Sequence, residues 1–336
     1  MRGEEEMKEQ KRRSQITWKV LPCAIMLVVM FVSPCMGVED PTKYPSKPIS
    51  MIIPYGPGAM NDTTGRKLAE LTSKILGQPI VVVNKPGGGA VLGVTSVANA
   101  APDGYTIGIA VYSALVVIPH TRSVPYNTKE DFTWIMAYGD TTMFFCVRAD
   151  SRWKTFKDFI AEARKNPGKL NYSTVGTMGA QHIFMEYVFS REKVKLNHVP
   201  GEASEISTNL LGGHIDAAMA ILKPWLGKGG LRALAILEKK RLDMIPDVPT
   251  FSELGYEDEI EAPRWIGLFA PKGLNPFVQK KLDDAFRKAS EDPSFKELCA
   301  QWSLEPHFRD SASFKAAVLR DFDSQRKVLK ELGFIK

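Results

Sequence analysis

The sequence ISMIIPYGPGAMND at residues 49–62 contains the junction between a predicted strand and a predicted helix, and this junction decides the fold. Ile49–Pro54 is a short apolar run typical of a buried strand, and Asp62–Leu76 has apolar residues at helical spacing. Asn61 or Asp62 is expected to cap the start of this helix, and Gly77 to end it. A glycine-containing loop joins the two elements. The stretch therefore predicts a buried strand that leads through a tight loop into an amphipathic helix.

Strands and helices alternate through the rest of the chain. A strand at Ile80–Asn84, a helix at Ala90–Ala100 and a strand at Tyr105–Ala110 complete a β-α-β-α-β pattern, which is typical of a parallel sheet covered by helices. A second series follows, with strands predicted near Thr141–Val147 and at Leu170–Thr174, Lys195–Val199, Ile215–Ala220, Leu231–Leu237 and Trp265–Ala270. Its helices are predicted at Thr155–Lys165, Gly179–Phe189, Ser204–Leu211, Pro276–Ser290, Pro293–Trp302 and Ser311–Leu332. Two α/β series and a helical tail indicate two lobes, whose ligands would bind beyond the carboxyl ends of the strands.

Composition excludes several classes of protein. The chain has 336 residues, of which 44% are hydrophobic and 24% charged, so disorder and coiled coil are not expected. Its length suits one large domain or two smaller ones. The net charge of +6 is too slight for a nucleic-acid-binding protein, and no partner of that kind is expected.

The N-terminus resembles an export signal. Basic residues precede the apolar run Val20–Val32, and small residues follow it up to Gly37. This pattern predicts a secretory signal peptide at residues 1–37 and a periplasmic mature protein. Three alternatives stay open, namely a membrane anchor, lipid attachment at Cys35, and a true start at Met7. The run is shorter than the roughly 20 residues that a spanning helix needs.

The mature chain would keep two cysteines, Cys146 and Cys299. Export would permit a bridge between them, but two separate buried thiols are the expectation.

Catalytic motifs are missing from the sequence. The five histidines are scattered, with neither a His-Glu-x-x-His pair nor a G-x-S-x-G elbow, and no thiol–imidazole pair is recognisable. The loops at Gly56 and Gly87 also depart from the dinucleotide fingerprint G-x-G-x-x-G. We therefore expect no enzyme, no cofactor and no metal site.

Glycine-rich junctions between strands and helices are the informative feature. They occur at Tyr55–Asp62, at Lys85–Ala90 and, in the second series, at Ser173–Ala180. Such a junction lets backbone N–H groups converge at a helix N-terminus, where an anion can bind without any Lys or Arg. One junction of this kind can be a simple tight turn, but one in each lobe favours an anion-binding site.

Collinear segments resemble the substrate-binding proteins of tripartite tricarboxylate transporters, the TctC/Bug family. The resemblance begins at Tyr44–Ile49 and Ile53–Gly58 and continues in order to the C-terminus. The other segments that carry it are Leu76–Gly87, Ala101–Thr106, Asn166–Ser173, Leu210–Asp216, Leu231–Ala235, Pro246–Thr250 and Trp265–Pro271.

The resemblance implies an α/β, two-lobed periplasmic binding protein of type II. Each lobe would be a helix-covered sheet, with two crossing strands near Met143–Val147 and Trp265–Ala270. Lobe I would comprise residues 44–143 plus 264–336, and lobe II residues 144–263. The protein would capture a small carboxylate as a monomer and deliver it to membrane transporter subunits. A carboxylate sensor coupled to a signalling partner is the alternative, and an exported hydrolase is a third hypothesis.

The resemblance also implies the site. The ligand carboxylate would lie between the two glycine loops, held mainly by main-chain amides. Expected ligand-binding residues are Tyr55, Gly58, Ala59, Met60, Asp62, Ser113, Ser173, Gly176, Thr177, Met178, Gly179, His182 and Arg264. The loop at Gly87–Gly89 is a secondary candidate.

Several of these roles have alternatives. Asp62 would either cap its helix or face the pocket, and His182 would either line the pocket or pack in the core. Arg264 would meet a second carboxylate or be a solvated charge at the hinge. Ala59 and Met178 depart from the family pattern, and we expect Met60 and Met178 to face each other and favour a ligand with an apolar or aromatic body.

Overall fold

The structure is a computed structural model that describes residues 40–202, 205–238, 240–256, 265–302 and 304–336. The predicted signal peptide at residues 1–37 and Arg264 lie outside the described residues. Within the described ranges, none of the helices combines the length and apolarity that a bilayer-spanning helix requires.

The strands form two sheets. Within the described residues the strands, in chain order, are β1 (Ile49–Ile53), β2 (Ile80–Asn84), β3 (Thr106–Ala110), β4 (Phe132–Thr141), β5 (Met143–Arg148), β6 (Asn171–Ser173), β7 (Asn197–His198), β8 (Ala217–Ala220), β9 (Leu231–Leu237), β10 (Trp265–Pro271) and β11 (Leu304–Glu305). One sheet has six strands in the order β11-β4-β10-β3-β1-β2, and the other has five in the order β7-β6-β8-β5-β9.

The helices cover these sheets. They are α1 (Met60–Leu76), α2 (Val91–Ala98), α3 (Ile118–Thr121), α4 (Phe156–Lys165), α5 (Ala180–Glu192), α6 (Ile206–Leu211), α7 (Pro276–Ser290), α8 (Pro293–Gln301) and α9 (Ser311–Glu331). A π-helical turn at Ser113–Val117 leads into α3. These elements confirm the predicted two-lobed α/β fold.

The predicted β-α-β-α-β start is confirmed in detail. β1 is central and pairs in parallel with β2 on one side and β3 on the other. Four of its five residues are buried, as in strands covered on both faces. α1 ends as predicted at Gly77, whose φ of 71° suits glycine and whose N–H bonds to the Ser73 carbonyl.

The start of α1 differs from the prediction. The N-cap residue is Ala59, without a side-chain bond, rather than Asn61 or Asp62. The physical reason is that Asp62 turns its carboxylate back to the Gly58 N–H, so the helix begins two residues before a cap at Asn61, or three before a cap at Asp62, would place it.

A ten-residue strand, β4, was absent from the sequence-based prediction. It pairs antiparallel with β10, which also pairs antiparallel with β3, so the six-stranded sheet is mixed. All but one residue of β4 is buried, and a strand buried on both faces lacks the alternation that identifies strands.

The chain crosses from one sheet to the other twice, and the two crossings are in contact. β4 ends at Thr141 in the six-stranded sheet and β5 begins at Met143 in the five-stranded sheet. The return passage lies between Leu237 of β9 and the start of β10. The Thr142 hydroxyl donates to a carboxylate oxygen of Glu238 over 2.6 Å, and both residues are buried. This bond links the two passages directly.

The lobe boundaries at 143/144 and 263/264 remain predictions. Cys146 and Cys299 are both buried and both free. The two cysteines belong to different hydrophobic clusters, Cys146 to the smaller one at the five-stranded sheet and Cys299 to the larger one. This accords with the expectation of two separate thiols.

Candidate functional site

The first glycine loop opens α1 towards a cavity between the lobes. Gly58 has a φ of 81°, a conformation that glycine adopts without strain. Ala59, Met60 and Asn61 follow it and line the cavity. Among the described residues the amides of these three residues have no hydrogen-bond partner. An unpaired helix N-terminus carries partial positive charge, so this edge of the cavity suits an anion.

Asp62 holds this loop in place. Its buried carboxylate accepts hydrogen bonds from the Gly58 N–H at 2.9 Å, Arg66 Nε at 2.9 Å and Asn84 Nδ2 at 2.8 Å. Burial alone would raise the pKa of Asp62, but these bonds outweigh burial and lower it. The carboxylate is thus ionised and engaged within the loop, and the Gly58 amide is engaged with it.

The second glycine loop opens α5 towards the same cavity. Gly176 has a φ of 65°, and its N–H donates to the Gly201 carbonyl at 3.1 Å. Gly179 is the N-cap residue of α5. The amides of Gly179 and Gln181 have no partner in the part of the chain that the structure describes. The two lobes therefore each present a helix N-terminus to one cavity.

Ser113 connects the lobes at this point. It begins the π-helical turn after β3, and its Oγ accepts a hydrogen bond from the Ala180 amide at 3.2 Å. Ser113 thus reaches the first amide of α5 from the opposite lobe.

His182 lies behind the second loop and outside the lining of the cavities. Its Nδ1 accepts a hydrogen bond from the Met178 N–H at 3.2 Å, and its ring stacks on His198 with centroids 3.9 Å apart. Burial lowers the pKa of both imidazoles to about 4. His198 Nε2 in turn bonds Thr174 Oγ1 at 2.8 Å. A neutral, stacked histidine pair therefore supports the loop from within its lobe.

Two adjoining cavities lie between the lobes. The inner cavity, of about 60 Å³, is lined by Tyr55, Met60, Asn61, Ala110, Val111, Tyr112, Ser113, Thr141, Met143, Ala180, Gln181, Ile221, Trp265 and Ile266. The outer cavity, of about 200 Å³, is lined by Tyr55, Pro57, Gly58, Ala59, Met60, Asn61, Val175, Gln181, Ala220, Ile221, Trp225 and Trp302. The described lining of both contains no charged side chain.

Tyr55 lines both the inner and the outer cavity. Burial, together with the Glu202 carboxylate, raises the pKa of its phenol to about 12, so the ring is neutral. A third, open cavity lies beyond it and is lined by Tyr55, Gly56, Ala59, Pro86, Gly87, Glu202 and Glu205.

The predicted residues thus fall into two groups. Those on the cavity wall are Tyr55, Gly58, Ala59, Met60 and Ser113. Those that lie in or behind the loops are Asp62, Ser173, Gly176, Thr177, Met178, Gly179 and His182. Met178 packs against the core and does not face Met60 across the inner or outer cavity.

Sequence reasoning missed several wall residues. Asn61 and Gln181 are the second residues of α1 and α5, one from each lobe. The side-chain oxygen Oε1 of Gln181 is buried and has no partner within the described residues. Each of them is the second residue of a helix that follows a glycine loop, and this shared position in the sequence could have identified both as wall residues. Trp225 and Trp302 lie outside any motif, and no local pattern identifies them.

Comparisons with known proteins identify the family. A family model described as "Tripartite tricarboxylate transporter family receptor" matches residues 64–334. The chain belongs to this family. The resemblance found in the sequence is thereby confirmed. Among the described residues, no cluster of side chains could hold a metal ion.

Three known proteins are similar to this chain over nearly the whole of their own length. The UPF0065 protein in the gbd 5' region of Cupriavidus necator is 36% identical over 97% of this chain and 99% of its own. A solved structure described as a periplasmic transporter is 34% identical, covers 87% of this chain and 99% of its own, and has a TM-score of 0.82. The periplasmic binding protein BugD is 28% identical, with coverages of 87% and 100% and a TM-score of 0.81.

Two more distant structures share the fold. R. palustris Rpa4515, solved with adipate, is 22% identical over 86% of this chain and 98% of its own, with a TM-score of 0.81. MatC from Rhodopseudomonas palustris, solved with bound malate, is 24% identical, with coverages of 85% and 100% and a TM-score of 0.77.

Proposed function

We propose that this protein is an extracytoplasmic receptor that binds a small organic carboxylate between its lobes and delivers it to the membrane subunits of a tripartite tricarboxylate transporter. The observation that carries the proposal is the meeting of two helix N-termini, those of α1 and α5, at one cavity. Adipate-bound and malate-bound proteins of the same fold support the chemical class of the ligand.

Backbone dipoles explain how an anion binds in a cavity whose described lining lacks Lys and Arg. The amides of Ala59, Met60 and Asn61 on one lobe and of Gln181 on the other belong to cavity-lining residues and have no partner among the described residues, so they are available as donors. Each helix N-terminus also contributes roughly half a positive charge. The backbone already fixes these amides, so they need little rearrangement when the ligand enters. Their hydrogen bonds to the carboxylate can therefore replace those that the carboxylate makes with water.

Closure of the lobes would complete the site. The lobes, proposed as residues 44–143 plus 264–336 and 144–263, are joined at Thr142 and by the segment that follows Glu238. Rotation about these passages would bring the two loops together on the ligand. Residues 1–37 would direct export and be removed, which sequencing the N-terminus of the periplasmic protein tests.

Isothermal titration calorimetry tests binding. We expect at least one member of a panel of mono-, di- and tricarboxylates to bind, and the matching primary amides, which lack the charge, to bind far more weakly. Folded protein that binds no carboxylate on the panel contradicts the proposal. Ligand uptake by proteoliposomes containing the membrane subunits, with and without the receptor, tests the partnership.

A further inference from the structure

The outer cavity has a tryptophan from each lobe in its wall. Trp225 ends a short 3-10 turn that follows β8, and Trp302 directly follows α8. Their rings meet edge to face, with centroids 6.2 Å apart and planes at 70°. Both side chains are only partly buried, and both line the cavity. Each ring therefore keeps surface available to a bound molecule.

A polar contact fixes this aromatic pair. Lys223 Nζ, in the same turn as Trp225, donates a hydrogen bond to the carbonyl of Ala300 in the last turn of α8. A cation at a helix C-terminus is favourable because the unpaired carbonyls there carry partial negative charge. The two tryptophans are thus held together across the lobes by a contact that involves neither ring.

Much of the rest of the outer wall is apolar, with Pro57, Val175, Ala220 and Ile221 among its lining residues. Its polar side chains, Asn61 and Gln181, carry no charge. A second carboxylate placed here would lose its hydration without gaining a counter-charge from the described residues. The open cavity beyond Tyr55 carries Glu202 and Glu205, which would repel a second carboxylate that extended in that direction.

We propose that the ligand is a monocarboxylate with an aromatic ring, whose carboxylate lies at the N-termini of α1 and α5 and whose ring packs against Trp225 and Trp302. This proposal rests on the proposed function and specifies its ligand. Gln181, which lines both cavities, lies where carboxylate and ring would meet. Its amide presents an acceptor or, rotated by 180°, a donor to the ligand.

Calorimetry with benzoate, phenylacetate, hexanoate, malate and citrate tests the proposal. We expect the aromatic monocarboxylates to bind at least about tenfold more tightly than hexanoate, since ring–ring packing adds to simple burial. Trp302→Ala should weaken benzoate binding about tenfold or more and change hexanoate binding much less. Trp302→Phe keeps an aromatic ring and should retain most of the wild-type affinity for benzoate. Trp302→Leu keeps apolar volume without a ring and serves if Trp302→Ala does not fold.

Phe277→Ala is the matched control, because Phe277 is an exposed aromatic residue outside the cavities. It should leave all affinities unchanged. Equal or tighter binding of malate, citrate or hexanoate, with no effect of Trp302→Leu, overturns the aromatic proposal and leaves carboxylate binding intact. Folded protein that binds none of the acids overturns the proposed function as well.

Discussion

The hydroxyl oxygen of Ser113 accepts a hydrogen bond from the amide of Ala180 at 3.2 Å, and the two residues belong to opposite lobes. Ser113 follows β3 of the six-stranded sheet, whereas Ala180 is the first residue of α5. The bond lies on the wall of the inner cavity, which both residues line. It therefore couples the approach of the lobes to the geometry of the proposed anion site.

Removal of this acceptor should weaken ligand binding more than folding. In Ser113→Ala, closure loses one hydrogen bond, worth about 0.5–1.5 kcal/mol, so affinity should fall by a factor of about 2 to 13. Calorimetry measures the affinity, and urea unfolding measures the stability. Ser313→Ala, at an exposed position in α9, is the control. An unchanged affinity would show that the bond does not contribute to closure.

Neutralising Asp62 should release the first loop. Asp62→Asn keeps the size of the side chain but loses the charge that Arg66 pairs with and one of the acceptor oxygens. We expect unfolding free energy to fall by about 1–3 kcal/mol and affinity to fall with it. Asp150→Asn removes an exposed carboxylate paired with Arg148 and should change stability by less than about 0.5 kcal/mol. Equal effects of the two substitutions would contradict the role given to Asp62.

Gly176 should tolerate asparagine better than valine. A Cβ at Gly176 meets no atom within 4 Å, so space is not limiting, but its φ of 65° strains a β-branched residue. Gly176→Val should move the loop and lower affinity at least about tenfold, whereas Gly176→Asn should retain most of the affinity because asparagine adopts this conformation more readily. Calorimetry on both variants decides the point. Equal losses would indicate that the side chain itself obstructs the ligand.

Stability should decline in acid through the buried histidines. The folded-state pKa of His182 is about 4, below the ordinary 6.5, because burial disfavours its charged form. The unfolded chain therefore binds more protons between these values, so the contribution is complete above about pH 6.5 and is lost as pH falls towards 4. The pKa of His198 is lowered in the same way, and the Glu186 carboxylate opposes this lowering only partly. A carboxylate oxygen of Glu186 also lies 3.9 Å from His182 Nε2.

Urea unfolding between pH 4 and 7 tests this expectation. His182→Asn keeps an acceptor for the Met178 N–H and cannot titrate, so its stability should depend less on pH than that of the wild type. The difference should reach about 2–3 kcal/mol. His214→Asn, at an exposed histidine, should keep the wild-type profile. Parallel profiles for wild type and His182→Asn would contradict the assignment.

Local patterns explain why much of the fold was predictable. The parallel arrangement of β1, β2 and β3 followed from alternating apolar runs and helical periods, and the Gly77 stop from the preference of glycine for positive φ. β4 was missed because a strand covered on both faces has no alternation, and because Thr133 and the segment Gly139–Thr141 break up its apolar residues.

The sequence by itself determined the two-lobed α/β class, the family and the two glycine loops, because these depend on residues that are neighbours along the chain. Only the tertiary structure decided that Asp62 turns back into its loop, that His182 supports Met178 from behind, and that Trp225 meets Trp302. The last contact joins residues from different lobes. Side-chain partners of this kind depend on packing between distant segments, which no local periodicity encodes.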